Sequence, residues 1–463
     1  MENAKNIQKL LNQYGFKTLA AGGFVRDTLL GRKPKDIDLA TYATPQEMAK
    51  IFEENDIKYI ETGLKHGTLT VMLGAVPYEV TTLRLDKTCC GREAEVEFIK
   101  SFREDAARRD FTINSMFMDL VTGEIFDYYG GKADIKNKTL RFVGDPAKRI
   151  QEDYLRILRL YRFACQLGFS LKPSDIDVAR RFLPYLAFVS PERILDELKK
   201  MVIGEFVEDI FSSNSDMVAT ILPELIPSMS QHQNNSFHYL SVYKHTLKGL
   251  DYLRVHQDPI LSITHLLHDI AKPYTLTLGP DVYKDEPVTH FYNHEYESAH
   301  VASRVAYRLR MGTKEIKRIK FIINNHLRLS GGIKPKTLRK LIAYCDESGD
   351  RNYIFDLHSQ RIADIKGMQE SVQEELDPLR QKVLQAVKDY GTLAVKSPLN
   401  GYEILLAFES VQEEIEFNDC LQGWEIGKAK DYLIKQIVEG YLKTDDRQAA
   451  TQIIRKYFNQ RYE

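Results

Sequence analysis

The sequence predicts an α+β protein: a head in which strands and helices mix, followed by helices to the end of the chain. Two observations carry this. Short apolar runs bounded by turn residues, the mark of strands, crowd the first 140 positions. From Asp145 onward such runs nearly vanish and apolar residues recur at helical spacing. A chain of 463 residues has room for about two to four domains with real cores.

The elements follow in order. Ile7, Leu10, Leu11 and Tyr14 trace one face of a helix over residues 3–14 that stops at Gly15. Strands are expected at residues 18–21, 36–40, 68–73 and 78–83. Thr44-Pro45-Gln46-Glu47 is a helix start, with a cap, a proline at the first position and a glutamate at the third. Asp145-Pro146, Ser190-Pro191-Glu192-Arg193 and Lys334-Pro335-Lys336-Thr337 open later helices. The polar stretch 227–235 and the region around Ser397-Pro398 read as linkers, and no internal repeat is visible.

Composition narrows the function classes. Hydrophobic residues make up 43% and charged residues 28%, as in a soluble globular protein. Lys+Arg 64 and Asp+Glu 65 nearly cancel, so a polyanion would have to find a local patch. Five cysteines (Cys89, Cys90, Cys165, Cys345 and Cys420) match no metal knuckle and suit a reducing compartment. There is no signal-like N-terminus, and no apolar run approaches the roughly 18 residues of a membrane helix. The expectation is a cytoplasmic protein with no membrane contact and no protein partner.

The most informative stretch is Gly22-Gly23-Phe24-Val25-Arg26-Asp27 followed by Asp36-Ile37-Asp38. Two glycines let the backbone approach something bulky. Two aspartates one residue apart on a strand point their carboxylates the same way. A lone D-x-D is usually a solvated strand end, but a third carboxylate, Glu79, stands in a neighbouring strand. Hard oxygen ligands of this kind hold divalent cations beside a triphosphate. Arg108-Arg109-Asp110 with Asn114 offers phosphate forks and a sugar contact. In Glu152-Asp153-Tyr154-Leu155-Arg156-Ile157-Leu158-Arg159, read as one helix, Asp153 and Arg156 share a face. Aspartate accepts and arginine donates, so the pair can offer a fixed edge to a base.

In order and spacing these blocks closely resemble the class II nucleotidyltransferases of the DNA polymerase β superfamily, and among them the CCA-adding enzymes that build the 3′ end of tRNA. The resemblance extends through Asp127…Gly130-Gly131…Asp134 and Ser190-Pro191-Glu192-Arg193…Glu197. It implies a head with a mixed five-stranded sheet, residues 1–140, then a helical neck and body, 141–230. It implies that Asp36, Asp38 and Glu79 are catalytic and bind two Mg²⁺ ions. Gly22, Gly23 and Arg26 would cradle the triphosphate, and Arg109, Asp110 and Asn114 would select ribose. Asp153 and Arg156 would serve as an amino-acid template for CTP and ATP, with Arg159 in support. Asp127, Gly130, Gly131 and Asp134 match a hinge, and Arg193 a bracing helix.

Two features separate the candidate relatives. The polar segment 83–103 resembles the flexible loop that lets full CCA-adding enzymes switch from CTP to ATP. Leu73-Gly74-Ala75-Val76-Pro77 lacks the basic strand of the poly(A) polymerases. Full C, C and A addition is therefore favoured over a poly(A) polymerase or a partial CC- or A-adding enzyme. Cys89-Cys90 within that loop is read as incidental rather than as a redox handle.

A second constellation lies in the helical half: His245, His268-Asp269, His294, His326 and Asp364. Imidazoles with carboxylates suit Mg²⁺, Mn²⁺, Ni²⁺ or Fe better than a closed zinc site. The set, with His268-Asp269-Ile270-Ala271-Lys272-Pro273, resembles the HD metal-dependent phosphohydrolases, over residues 231–370. That resemblance implies removal of 2′,3′-cyclic or terminal phosphates from RNA ends, with Lys272 on a phosphate or a metal. His290 and His300 are alternatives to His294. A degenerate fold serving only to bind tRNA is the bland alternative, and a chain that is chiefly a phosphohydrolase the bold one. Residues 371–463, with Gly423-Trp424-Glu425-Ile426-Gly427, Lys428 and Lys430, resemble a tail that reads the tRNA elbow.

Overall fold

The computed structural model describes residues 1–74, 76–88, 95–233, 240–280, 288–329, 333–347, 353–368, 381–386, 399–415, 423–438, 441–442 and 446–462. These form two compact units, Met1–Pro223 and Glu224–Glu463.

The first unit opens with helix α1 (Glu2–Gln13), which buries Ala4, Ile7 and Leu11. Strand β1 (Thr18–Ala21) leads to α2 (Gly23–Leu29), β2 (Leu39–Thr41) and α3 (Pro45–Glu54). The α3 start has the anticipated box: the Thr44 side chain accepts from the Glu47 N–H, and Glu47 reaches back to the Thr44 N–H. Strands β3 (Tyr59–Gly63), β4 (Thr68–Leu73) and β5 (Val76–Thr82) follow, then β6 (Arg84–Thr88), β7 (Glu95–Phe98), α4 (Phe102–Ala107), β8 (Phe117–Met118) and β9 (Ile125–Phe126). The sheet order is β3-β4-β5-β2-β1-β8-β9. Among the described residues it has seven strands, not five, because β8 and β9 extend it past β1. Two-residue strands leave no periodicity to read. Phe24, Val25, Phe52, Val71 and Val80 join the α1 face in one core.

Helices α5 (Gly131–Lys136), α6 (Pro146–Glu152), α7 (Leu155–Leu167), α8 (Pro173–Phe182), α9 (Pro191–Met201), α10 (Val207–Ser213) and α11 (Ser215–Ile221) complete this unit, with short β10 (Thr139–Leu140) and β11 (Ser170–Leu171) between them. The single helix expected at residues 152–159 is broken. Asp153 is extended, at φ −154° and ψ 106°, and its Oδ1 accepts the Leu155 N–H at 3.1 Å. Aspartate competes for backbone donors in this way and so starts a new helix rather than continuing one.

The strand expected at 36–40 is also shorter. Pairing of β2 with β5 begins at Leu39↔Val80, so Asp36 and Asp38 lie just ahead of it. Like charges at 36, 38 and 79 oppose further pairing. The segment 83–103 is chiefly an antiparallel ribbon, β6 with β7, leading into α4. Residues 89–94, with Cys89 and Cys90, lie outside the described residues, as do Cys420 and Ser397-Pro398.

The second unit is helical: α12 (Ile226–Ser230), α13 (Val242–Leu253), α14 (Pro259–Leu267), the hairpin β12 (Leu276–Gly279) and β13 (Val288–Phe291), α15 (His294–Arg308), α16 (Thr313–Asn325), α17 (Pro335–Glu347) and α18 (Tyr353–Lys366). Residues 226–230 thus form a helix where a linker was expected, Pro227 sitting in its first turn. Helix α14 ends at Leu267, and His268-Asp269 occupy the turn beyond. Helices Gly401–Ile415, Gly423–Val438 and Arg447–Tyr462 pack around Phe408, Leu433 and Phe458.

Candidate active site

In the first unit the sheet register assembles the acids. β2 and β5 are parallel with Leu39 opposite Val80, so the residues before them, Asp38 and Glu79, are neighbours. Both line a cleft of about 680 Å³. The Asp38 carboxyl is pushed up to about 6, first by loss of solvent against the cleft wall, then by repulsion from Glu79 and Asp36, with Arg109 pulling the other way. Asp36 and Asp38 both keep contact with water, but only Asp38 lines the cleft. The three carboxylates therefore share one field without forming a closed cluster.

Gly22 joins β1 to α2 at φ +65°, ψ −121°, a conformation open to glycine. A Cβ there would sit 3.0 Å from Arg109 Nη1. Gly22 and Gly23 form the cleft wall beside Arg26. Among the described residues seven arginines line the cleft: Arg26, Arg84, Arg108, Arg109, Arg156, Arg159 and Arg193.

Buried acids aim them. Asp105, on α4, accepts from Arg108 Nε at 2.9 Å and from Arg109 Nε at 3.1 Å. Burial alone would raise its carboxyl, but Arg109 and Arg108 hold it below the usual range. Asp110 accepts the Phe111 N–H at 2.7 Å and Asn114 Nδ2 at 3.1 Å on one oxygen, and Arg159 Nε at 2.8 Å on the other. Here too burial is outweighed, by Arg159 first, and the carboxyl sits low. Asn114 Oδ1 in turn accepts from Arg26 at 2.7 Å, and Arg26 is clamped by Asp27 at 2.9 and 3.0 Å. Both oxygens of Asp110 are thus engaged by protein groups. It positions Asn114 and Arg159 rather than offering a free acceptor.

Asp153 and Arg156 both line the cleft, but not as one helix face. Asp153 Oδ2 accepts from Arg193 at 2.7 Å. Arg156 is held by Glu152 at 2.7 Å and by the carbonyls of Arg149 and Arg108, each at 2.9 Å. Glu197 is buried against Arg162 at 2.6 Å. At the expected hinge, Asp127 Oδ1 accepts the Gly130 and Gly131 N–H groups and Oδ2 accepts Lys132 N–H, each at 2.9 Å. Asp134 bonds Thr112 Oγ1 at 2.5 Å and Arg141 Nε at 3.1 Å. Residues 127–134 thereby brace the segment that carries Asn114.

Asp105, Arg84 and Phe163 escaped sequence reasoning. Asp105 had a signal, its i+3 and i+4 spacing to Arg108 and Arg109 on a helical stretch. Phe163, which the Arg26 and Arg159 guanidiniums approach at 5.1 and 5.7 Å, read only as core.

In the second unit the predicted set converges. His245, His268, Asp269 and Asp364 place ligand atoms within 4.8 Å of one another, as do Asp269, His294 and His326. All are buried. His268, His294 and His326 each present Nδ1 to the carbonyl three residues earlier, at 2.6, 2.6 and 2.7 Å. Each Nδ1 therefore donates to that carbonyl, which turns Nε2 toward the acids. Asp269 Oδ1 has no well-aligned hydrogen bond; His294 Nε2 stands 3.3 Å away and is likewise unsatisfied. Two buried carboxylates here demand positive charge. Burial would lower His268, but Asp269 and Asp364 outweigh it and push the imidazole up to about 10. Burial, then His268, pushes His326 down to about 3.

Lys272 Nζ is buried on Asp269 Oδ2 at 2.7 Å and Gln233 Oε1 at 2.8 Å, so it is engaged rather than reaching outward. His290 stacks on Tyr292 and bonds the Pro280 carbonyl, and His300 is exposed; neither replaces His294. Arg361, 2.6 Å from Asp364 Oδ2, and His265, stacked on His268, were not foreseen. The Arg361-x-x-Asp364 spacing was the available signal.

Residues 18–141 match the family described as the Poly A polymerase head domain. The chain is 46% identical over 203 residues to CCA tRNA nucleotidyltransferase 1, mitochondrial, of Danio rerio, covering 43% of this chain and 47% of that protein. It is 40% identical over 248 residues to the CCA-adding enzyme of Bacillus pumilus, covering 53% of this chain and 60% of that protein. The chain thus spans about half the length of the curated relatives it matches. Among solved structures it resembles the Bacillus stearothermophilus CCA-adding enzyme in complex with CTP, at TM-score 0.65 and 23% identity over 99% of this chain and 98% of that one. It also resembles the Thermotoga maritima CCA-adding enzyme complexed with tRNA, at TM-score 0.55 and 17% identity over 98% of this chain and 94% of that one. At these identities the structural likeness shows the fold. Among the described residues no helix is long and apolar enough to cross a membrane.

Proposed function

We propose that this chain, whose residues 18–141 match a Poly A polymerase head domain, is a tRNA nucleotidyltransferase that adds C, C and A to the 3′ end from CTP and ATP. One observation carries the proposal: among the described residues a single cleft holds Asp38 and Glu79, the Asp153 and Arg156 side chains and six further arginines. The names of the relatives support it. The proposal carries with it a domain plan of a head at 1–140, neck and body at 141–230, HD-like domain at 231–370 and tail at 371–463.

The donor set fits a hard divalent cation. Asp38 is an acid that loss of solvent and then the neighbouring Glu79 and Asp36 make costly to ionise, and a cation would relieve that cost. Asp38 and Glu79, which line the cleft, would hold Mg²⁺, with Asp36 completing the set once its carboxylate turns inward; the bound ion would neutralise the triphosphate and favour ionisation of the attacking hydroxyl. Arg26, fixed by Asp27 and Asn114, and Arg109, fixed by Asp105, stand ready for phosphate oxygens. The RNA 3′-hydroxyl attacks the α-phosphate in line, the bond from the α-phosphorus to the α,β-bridging oxygen breaks, and pyrophosphate leaves. Asn114 and Arg109, beside Gly22, would offer polar partners to the hydroxyls of a ribose.

Arg156 is held by Glu152 and two carbonyls, so its remaining N–H groups are aimed rather than mobile. Asp153 accepts on both oxygens and still has lone pairs. An acceptor and a donor side by side satisfy cytosine or adenine. Uracil or guanine would leave a buried polar group unpaired, at about 1–3 kcal/mol. A cytoplasmic location belongs to the proposal and fits the free buried thiols of Cys165 and Cys345. The mitochondrial relatives mark the alternative compartment.

The test is tRNA lacking its terminal triplet, incubated with CTP, ATP or both. Two added residues with CTP alone and three with both are expected. Two residues in both tubes would indicate a CC-adding enzyme. A long tract from ATP alone would indicate a poly(A) polymerase, and no extension would overturn the proposal.

The buried cluster favours a second activity in residues 224–463. Its Nε2 atoms face two acids, and Asp269 Oδ1 lacks a well-aligned hydrogen bond, so the donors fit one or two cations of Mg²⁺, Mn²⁺, Ni²⁺ or Fe. His245, His268, Asp269 and Asp364 would hold one ion, and Asp269, His294 and His326 a second; bound there, a metal supplies activated water. Arg361 fixes Asp364, and Lys272 fixes Asp269. The substrate class is a 2′,3′-cyclic or terminal phosphate on an RNA end. Phosphate release that a chelator stops and added metal restores supports this; release indifferent to both refutes it.

A further inference from the structure

Beside the cleft stands a group of four aromatic rings that the foregoing chemistry does not use. Tyr154 directly follows Asp153 at the break between α6 and α7. Phe182 ends α8, and Tyr185 and Phe188 follow in the turn that leads to α9. Tyr154 and Tyr185 are stacked, with centroids 5.1 Å apart and planes at 23°. Phe188 lies 6.4 Å from Tyr154 and 6.2 Å from Tyr185, and Phe182 lies 5.6 Å from Tyr185. The outer rings are open to water: Tyr185 is 42% and Phe188 78% exposed.

Scattered surface aromatics need no explanation, but contiguous ones with two bare faces do. The patch is tied to the cleft twice. Tyr154 is covalently next to Asp153, and Arg193, five residues after Phe188, donates to Asp153 at 2.7 Å. Both Asp153 and Arg193 line the cleft. Flat exposed rings beside an arginine-lined cleft suit an unpaired base with its phosphate.

We infer that Tyr185 and Phe188, backed by Tyr154, form a stacking platform for an unpaired base at the 3′ end of the RNA being extended. This rests on the nucleotidyl-transfer proposal, because the RNA end must enter the cleft for the platform to meet it. The platform acts on the RNA and not on the incoming nucleotide, which meets Asp153 and Arg156 instead. Tyr185 and Phe188 are positioning residues: they hold the end whose hydroxyl reacts.

The experiment uses the full chain as wild type, Tyr185→Ala, Phe188→Ala and Phe188→Trp, with tRNA lacking its terminal triplet. KM for tRNA should rise about ten-fold in each alanine variant, the scale of one lost base stack. The kcat and the KM for CTP should stay within about two-fold, and the tryptophan variant should recover wild-type KM. In parallel, an RNA hairpin ending in unpaired 2-aminopurine should lose fluorescence on binding wild type and keep it with Phe188→Ala. An unchanged KM for tRNA together with unchanged quenching overturns the inference. So does a rise confined to the KM for CTP, which would put the nucleotide on the rings, or loss of RNA binding that the tryptophan variant does not repair, which would indicate a protein-docking or purely structural patch. Wild type that extends no RNA brings down the underlying proposal instead, and the wild-type arm reads that separately.

Discussion

Replacing Asp110 by asparagine tests the idea that this acid anchors the cleft. The carboxylate is 8% exposed and takes three kinds of donor: Arg159, Asn114 and the Phe111 N–H. The asparagine would keep shape and one acceptor but lose the charge opposite Arg159. Breaking a buried pair costs about 3–5 kcal/mol. Arg159 is 33% exposed and has Glu197 at 4.0 Å in reserve, which brings the expectation to about 2 kcal/mol. For a cooperative unit of this size that is a fall in Tm of about 4–8 °C. Circular dichroism melts at pH 7 measure it. The pH dependence has a definite sign. The folded carboxyl is held below its unfolded value, so its contribution is present above about pH 4 and fades as pH drops further. The gap between wild type and Asp110→Asn should therefore close in acid. Kinetically, both ribo- and deoxyribonucleotide addition should fall together, because Asn114 and Arg26 lose their anchor. An unchanged Tm, a gap that persists undiminished in acid, or a loss of sugar discrimination alone would each refute the anchoring argument.

Asp38→Ala should reduce nucleotide addition at least about a thousand-fold while tRNA binding in a filter assay stays within a few-fold; near-normal turnover would remove Asp38 from the metal set. Asp153→Ala combined with Arg156→Ala should admit UTP and GTP, read as misincorporation into shortened tRNA; retained CTP and ATP selectivity would refute the template. Gly131→Ala should destabilise by about 1–3 kcal/mol or more, because its Cβ would lie 2.3 Å from the Thr112 carbonyl; a wild-type melt would refute the tight contact. Asp269→Asn should empty both halves of the histidine cluster, seen as loss of bound metal by plasma mass spectrometry; full metal content would show that Asp269 is not shared.

Much of the head was legible because strands and caps speak locally. β1 and β4 fall where short apolar runs put them, and Thr44 and Glu47 close their box. What could not be read was set by partners distant in sequence. Asp36 and Asp38 read as strand, yet the β5 register starts pairing only at Leu39. Asp153 sits in a run that looks helical until its carboxylate takes the Leu155 N–H. The arginines read as phosphate ligands, but which buried acid fixes each depends on contacts such as Asp110 with Arg159, 49 positions away. The histidine cluster was named residue by residue, whereas its division about Asp269 follows only from three-dimensional placement.

One detail of that cluster has practical weight. His268, His294 and His326 each lean on the carbonyl of the third residue before them. An asparagine amide can imitate that near-side donor while offering nothing where the far nitrogen stood. Single asparagine replacements should thus yield well-folded variants that lack one far-side nitrogen each, so the proposed second activity can be tested without disturbing the first unit.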